Sequence, residues 1–252
     1  MADSPKRNNA PTPNHSFQRA EVPAGTPLPE RSVNEYLEYS ATIDFRSELI
    51  RKAIHLSSLS IPVIYYHITR ELALQILVPL TVAFIVVDLA RYYHQPVAGL
   101  FYRWFGWLLR RHEQDEKRKR LNGATNVLIG ATLCVLVFPK ILVVTALTIL
   151  IFSDSTSALI GRRFGKHRFL GKSLEGTLAF FVSAVLVVLA TPKVAGLTTE
   201  YLIGIVAAAV GALTEATRLH LDDNLSVPVV ICGTLWGLYA LLLPSVNLFH
   251  LV

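Results

Sequence analysis

"KILVVTALTILIF", Lys140 to Phe152, runs into "SDSTSALIGRRFGKHRFLGKSLEG", Ser153 to Gly176, and that into "TLAFFVSAVLVVLA", Thr177 to Ala190. The flanking runs are almost free of polar side chains, and with a few residues of the middle stretch each is long enough to cross roughly 30 Å of hydrocarbon as a helix. Between them stand five cations, four glycines and a row of hydroxyls. A plain connector between two membrane helices needs only a few polar residues. This one reads as a loop built to hold something anionic, at the surface of a membrane.

Blocks of the same kind recur outward in both directions. Seven can be drawn, at about 50–68, 71–90, 123–138, 141–160, 174–191, 200–217 and 224–243. The 252 residues are 52% hydrophobic and only 17% charged, where soluble domains carry about a quarter charged residues. The expectation is an all-α polytopic membrane bundle of about seven transmembrane helices. Its first block is irregular, with His55, several serines and Pro62, although proline is tolerated in a span whose neighbours satisfy the freed carbonyl. In "VAGLFYRWFGWLLRRH", Val97, Leu100, Phe101, Trp104 and Leu108 recur at helical spacing beside Arg103, Arg110 and Arg111. That pattern predicts one amphipathic helix lying in the interface plane, its aromatics at headgroup level.

Residues 1–40 are rich in Pro, Asn, Ser and charge and have too little apolar surface to fold alone. They read as a disordered cytosolic tail ahead of a membrane-embedded domain over 41–252, with no cleavable signal peptide. Cys134 and Cys232 both sit in apolar blocks without a CxxC, so buried thiols are expected rather than a disulfide framework or a zinc site. Seven spans place 21 of the 24 Lys and Arg, and 16 of the 18 Asp and Glu, on one side of the membrane. The positive-inside rule makes that side cytosolic. A transporter would instead bury ionisable groups near the midplane on broken, repeated helices, and no repeat is visible. The chemistry is expected at the cytosolic face of a multi-pass protein, in the cytoplasmic membrane of a bacterium or the endoplasmic reticulum of a eukaryote.

Four clusters converge on that face. In "ELIRKAIH", Arg51 and His55 share a helical face, as do Glu48 and Lys52; this is a cationic anchor with a His one turn further in. In "LNGATNVLIG", Asn122 can cap a helix and the small residues suit close packing. In the opening stretch, Asp154 falls near the cytosolic end of the fourth block. A carboxylate there costs on the order of 2–3 kcal/mol unless a cation or a metal partners it. Gly161, Gly165 and Gly171 leave backbone amides accessible, and Arg162, Arg163, Lys166, Arg168 and Lys172 add positive charge before a helix start at Ser173–Glu175. Amides, cations and a helix start together suit a polyphosphate. The P-loop spacing is absent, since "GKHRFLGKS" has five residues between its glycines. In "EATRLHLDDN", Asp223 or Asn224 can cap the last helix, while Asp222 and Asp223 facing a cationic loop can hold Mg2+, which prefers carboxylates shared with substrate phosphates. Asp88 is a further acid at the same level. Such parts suffice for phosphoryl transfer, which needs mainly positioning and charge neutralisation.

"ELIRKAIH", "SDSTSALIGRRFGK…KSLEGTLAFF" and "ALTEATRL…DDNLSVPV" resemble the CTP-dependent lipid kinases: dolichol kinase, phytol kinase and the yeast-type diacylglycerol kinase. The resemblance spans about 46–243, with the motifs in the same order, and leans toward the phytol and diacylglycerol branches. It implies transfer of the γ-phosphoryl of CTP to a lipid hydroxyl. The family's Arg-Lys pair falls on Arg51 and Lys52, its Asp on Asp154, its Gly on Gly161, its Lys-Ser pair on Lys172 and Ser173, and its acidic pair on Asp222 and Asp223. On this reading Asp154 with Asp222 or Asp223 holds magnesium, and Arg51, Lys52 and Lys172 bind the triphosphate. Gly161, Arg162, Gly165, Lys166, Ser173 and Asn122 complete the nucleotide site, and either His55 or an aspartate is the general base. The family is distantly akin to the phosphatidate cytidylyltransferases, which leaves nucleotidyl transfer from CTP to a lipid phosphate as the alternative. The expected partners are CTP and a lipid alcohol, with no nucleic acid; "GTLWG" at 233–237 permits helix pairing within or between chains.

Overall fold

Prolines and capping side chains decide where the helices of this chain begin and end. The structure is a computed structural model describing residues 50–105, 121–217 and 221–248, all of which belong to one unit, Asp44–Val252. The tail expected over 1–40 lies outside the described residues. Residues 50–57 are helical (α1) and are followed by a turn and Ser60–His67 (α2). The block expected over 50–68 is therefore two helices, not one. Pro62 is the reason: it lacks the N–H that would bond the Ser58 carbonyl, and the chain closes instead through shorter-range bonds, Leu59 to Leu56 and Ile61 to Ser58.

The next helices are Arg70–Tyr93 (α3), Gln95–Phe105 (α4), Gly123–Val137 (α5) and Lys140–Phe164 (α6). Thr69 caps α3 by accepting the Leu72 N–H, and Asn122 caps α5 by accepting that of Thr125. Pro139 stops α5 and stands at the entrance to α6, where its missing donor is not needed. After α6 comes a small antiparallel hairpin, Arg168–Phe169 (β1) with Lys172–Ser173 (β2), paired Arg168 to Ser173 and Phe169 to Lys172. It is a local exception to the all-α expectation. Leu174–Ala190 (α7), Thr198–Ala216 (α8) and Asp223–Leu242 (α9) complete the chain.

Four of these helices, α3, α6, α8 and α9, are long and apolar enough to cross a membrane. With 15 and 17 residues, α5 and α7 are shorter, about 22 and 26 Å at 1.5 Å per residue. Length and composition thus support a helical membrane protein without reaching the count of seven spans. At the centre is α6, packed against α7, α9, α2 and α5, with 72% of its apolar window buried, against 22% for α3. Ala146, Leu147 and Ile149 of α6, at 0% exposure, belong to one buried cluster with Phe180, Ala207 and Ile231.

Glycines let the helices touch. A Cβ on Gly130 would lie 2.6 Å from the Asn224 carbonyl oxygen, so α5 meets α9 backbone to backbone there. Gly233 and Gly237, by contrast, have no atom within 4 Å of such a Cβ among the described residues, although Leu235 between them is buried and the Trp236 ring stands edge-on to Phe138 at 5.9 Å. Cys134 and Cys232 are buried free thiols. The expected interfacial helix corresponds to α4, whose Phe101 ring lies 4.9 Å beneath the Arg91 guanidinium; its continuation to Arg110 and Arg111 lies outside the described residues.

Candidate active site

One end of α6 gathers side chains from four other parts of the chain. Lys52, on α1, donates to the Asp154 carboxylate and also to the Asp154 main-chain oxygen at 3.2 Å. From the next turn of α1, His55 places Nε2 3.5 Å from Asp154 Oδ2. Helical spacing explains the pair, since Lys52 and His55 are neighbours on one face of α1. Both are largely buried, so neither is a headgroup-snorkelling anchor. Arg51 lies within electrostatic reach of His55.

Lys172 approaches from the other side. Its ammonium donates to Glu215 Oε1 at 2.6 Å and to Asp223 Oδ2 at 2.8 Å. The hairpin is held at the end of α8 by a bond from the Gly171 N–H to the Ala216 oxygen, which brings Lys172 to Glu215. Leu170, at the hairpin tip, has φ 50°, a left-handed conformation that costs a residue with a Cβ on the order of 1–2 kcal/mol. Burial alone would push the Lys172 pKa down, but Glu215 and then Asp223 outweigh it and hold the ammonium above its ordinary value. Ser157, on α6, donates to the same Glu215 oxygen at 3.1 Å. Asp154 is within electrostatic reach of Lys172, Glu215 and Asp223. The result is one mixed-charge cluster: Lys52, His55 and Lys172 against Asp154, Glu215 and Asp223.

Other expected site residues sit elsewhere or act differently. Asp222 caps α9, its Oδ1 accepting the Asn224 N–H at 3.0 Å, so the cap falls one residue before Asp223. Asn122 is engaged by Asp88, which accepts from its N–H at 2.8 Å, from its amide at 2.9 Å and from the Thr125 hydroxyl at 2.7 Å. Arg91 Nε stands 3.2 Å from the same Asp88; this group fastens α3 to the start of α5. Ser173 caps α7 through the Gly176 N–H. Gly161, Gly165 and Gly176 close around it, each with a hypothetical Cβ within 3.0 Å of Ser173 Oγ. These glycines make the α6–α7 crossing tight. Arg162 and Lys166 are exposed at the rim. His167 and Glu175 close the hairpin's open end, Nδ1 lying 2.8 Å from Oε1.

Glu215 and Ser157 carry no role in the sequence reading, although the signal was present: an acid inside an apolar helix needs a partner as much as Asp154 does. Among the described residues no three His, Cys, Asp or Glu side chains are gathered closely enough to hold a metal ion. The donor chemistry nonetheless fits a hard divalent cation. The oxygens are carboxylates, and Glu215 Oε2 is buried without a hydrogen-bond partner.

The chain is 30% identical to an uncharacterized protein of Rickettsia prowazekii over 193 residues, covering 76% of this chain and 94% of the relative. It is 29% identical to the CTP-dependent diacylglycerol kinase 1 of Schizosaccharomyces pombe, over 73% of this chain and 90% of the kinase. A protein of Methanocaldococcus jannaschii, also uncharacterized, is 28% identical over 73% of this chain. No family profile matches the chain, and no solved structure matches it.

Proposed function

The chain belongs to the family of the Rickettsia prowazekii protein, and from that membership, its distant relation to the fission-yeast kinase and the site's geometry we propose that it is a membrane lipid kinase. In this reading it transfers the γ-phosphoryl of CTP to the hydroxyl of a diacylglycerol or an isoprenoid alcohol such as phytol or a polyprenol. The observation that carries the reading is the meeting of Lys52, His55, Asp154, Lys172 and Asp223 at one end of α6. Seven spans, counting the broken first block and the two short helices, would set this end at the cytosolic leaflet, where a lipid hydroxyl is at hand.

The lipid oxygen attacks the γ-phosphorus, the bond from that phosphorus to the β-bridging oxygen breaks, CDP leaves, and the hydroxyl proton passes to His55 or an aspartate. Lys52, Arg51 and Lys172 take the triphosphate oxygens, with exposed Arg162 and Lys166 drawing the nucleotide in from the rim. The glycine amides expected to be open are engaged instead: Gly161 lies inside α6, the Gly165 N–H bonds the Gly161 oxygen, and that of Gly171 bonds the Ala216 oxygen. Gly161, Gly165 and Ser173 therefore serve the site by holding the α6–α7 crossing beside its approach, and Asn122 orients the neighbouring helix. Asp154 with Asp223 or Asp222 would hold magnesium, which would supply charge neutralisation for the phosphates. Asp154 also fixes the position of Lys52 and the ring of His55.

The test is direct. Purified protein is given diacylglycerol, phytol or other isoprenoid alcohols, or phosphatidate, with CTP or ATP, and the CTP carries label at either the α- or the γ-phosphorus. Label from the γ position alone should reach the lipid. Label from the α position in the product would replace the kinase by a phosphatidate cytidylyltransferase-type reaction.

A further inference from the structure

Glu215 is 2% exposed, yet only one of its oxygens is used. Oε1 takes both the Ser157 hydroxyl and the Lys172 ammonium, while Oε2 is buried with no partner. On α6, one turn deeper than Ser157, the Ser153 hydroxyl is likewise buried without a partner. A carboxylate at this depth normally has both oxygens satisfied. The orphan oxygen belongs to the same carboxylate that, with Asp223, clasps a lysine nitrogen at 2.6 and 2.8 Å. Two hard anionic donors around one ammonium are the beginning of a cation site, and the lysine stands where the ion would stand. A magnesium ion takes shorter bonds, about 2.0–2.1 Å, and does so with one or two carboxylates plus substrate phosphates.

The three groups also differ in freedom. Glu215 is buried and tied to Ser157, whereas Lys172 and Asp223 side chains are each 33% exposed, and Lys172 sits on the hairpin with the left-handed Leu170 at its tip.

We propose that Lys172 and a divalent cation exchange on the Glu215–Asp223 pair. Lys172 holds the two carboxylates in the nucleotide-free protein. When a nucleoside triphosphate arrives with its cation, the ammonium moves to phosphate oxygens and the cation takes the carboxylates, with Glu215 Oε2 as its innermost protein ligand. The exchange keeps the two carboxylates neutralised throughout and couples cation binding to nucleotide binding. It deepens the kinase reading and rests on it only for the identity of the triphosphate.

Mn2+ binding to detergent-solubilised protein, read by electron paramagnetic resonance without lipid or turnover, tests the exchange. Wild type should bind Mn2+ weakly alone and at least tenfold more tightly with CTP. Lys172→Gln should bind Mn2+ at least tenfold more tightly than wild type in the absence of CTP, while Lys172→Arg should not. Glu215→Gln should lose the CTP-dependent gain, and it is the deciding variant if Lys172→Gln fails to fold. Unchanged Mn2+ affinity in folded Lys172→Gln, or a full CTP-dependent gain in Glu215→Gln, would leave Glu215 as a fixed counter-ion and overturn the proposal. A protein that exchanged cations as described but transferred no γ-label would refute the kinase reading and spare this one.

Discussion

Replacing Asp154 by Asn removes the charge around which the cluster is arranged, and the structure says roughly what that should cost. Lys52 is 6% exposed and loses its carboxylate partner. At about 4 Å and an effective dielectric of about 20 the attraction is about 4 kcal/mol, and breaking a buried pair from one side costs about 3–5 kcal/mol. Two features favour the lower end: Lys52 keeps the residue 154 main-chain oxygen at 3.2 Å, and an amide oxygen still accepts. We therefore expect a loss of about 3 kcal/mol, or a fall of about 6–12 °C in unfolding midpoint for a domain of this size. Lys52→Met should cost a similar amount. The double variant Lys52→Met/Asp154→Asn should cost clearly less than the two together, with a coupling of about 2 kcal/mol. Unfolding in detergent gives the stabilities, and γ-label transfer from CTP gives the activity, which should vanish in all three variants while they still insert and elute as monodisperse protein. Additive stabilities, or near-normal turnover in Asp154→Asn, would refute the reasoning.

Asp88→Asn should destabilise the protein by about 3 kcal/mol, because Asp88 is fully buried and takes three hydrogen bonds beside Arg91; chemical unfolding would read it. Gly130→Ala should lower the unfolding midpoint while Gly233→Ala leaves it unchanged, since only the first sets a methyl against backbone. Glu200→Gln should cost about 1–3 kcal/mol of stability with γ-label transfer intact. Glu200 accepts the N–H groups of Val194, Ala195 and Leu197 and the Tyr239 hydroxyl, at the opposite end of α8 from Glu215. Lys172, with its pKa raised in the folded state, contributes stability fully below the ordinary 10.5 and loses it as pH climbs through the raised value. The stability gap between wild type and Lys172→Gln should be flat through neutral pH and shrink only above that point.

Apolar runs were the legible part of this fold. The blocks read at 71–90, 141–160, 200–217 and 224–243 lie within a residue or a few of α3, α6, α8 and α9, because hydrocarbon length constrains both. The break at 58–59 is harder to read, since a proline such as Pro62 is tolerated in some spans and breaks the helix here. Asp154 announced its need for a partner through its cost in the membrane, and Lys52 stands beside it. Asn122 carried two signals, cap and ligand. It caps α5 as read, while its side chain also belongs to Asp88, a tertiary contact that no local pattern encodes. Glu215 hid among the alanines and threonines closing α8; its importance rests on a hairpin turn fastened to Ala216, a meeting across more than forty positions that one-dimensional spacing does not reveal.

The brevity of α5 and α7 reaches beyond the protein itself. On the proposed seven-span reading, α5 and α7 would be walls some 4–8 Å short of a bilayer about 30 Å deep, which would accommodate the mismatch by pinching inward. Lipids along that pinch would carry their head groups nearer the midplane, so the hydroxyl of the proposed glycerol or prenol acceptor would descend toward the depth of the polar cluster without leaving its leaflet. Vesicles of shorter-chain lipids, already thin, should then sustain faster turnover than thick ones; equal rates across chain lengths would mean that the acceptor reaches the cluster by some other route.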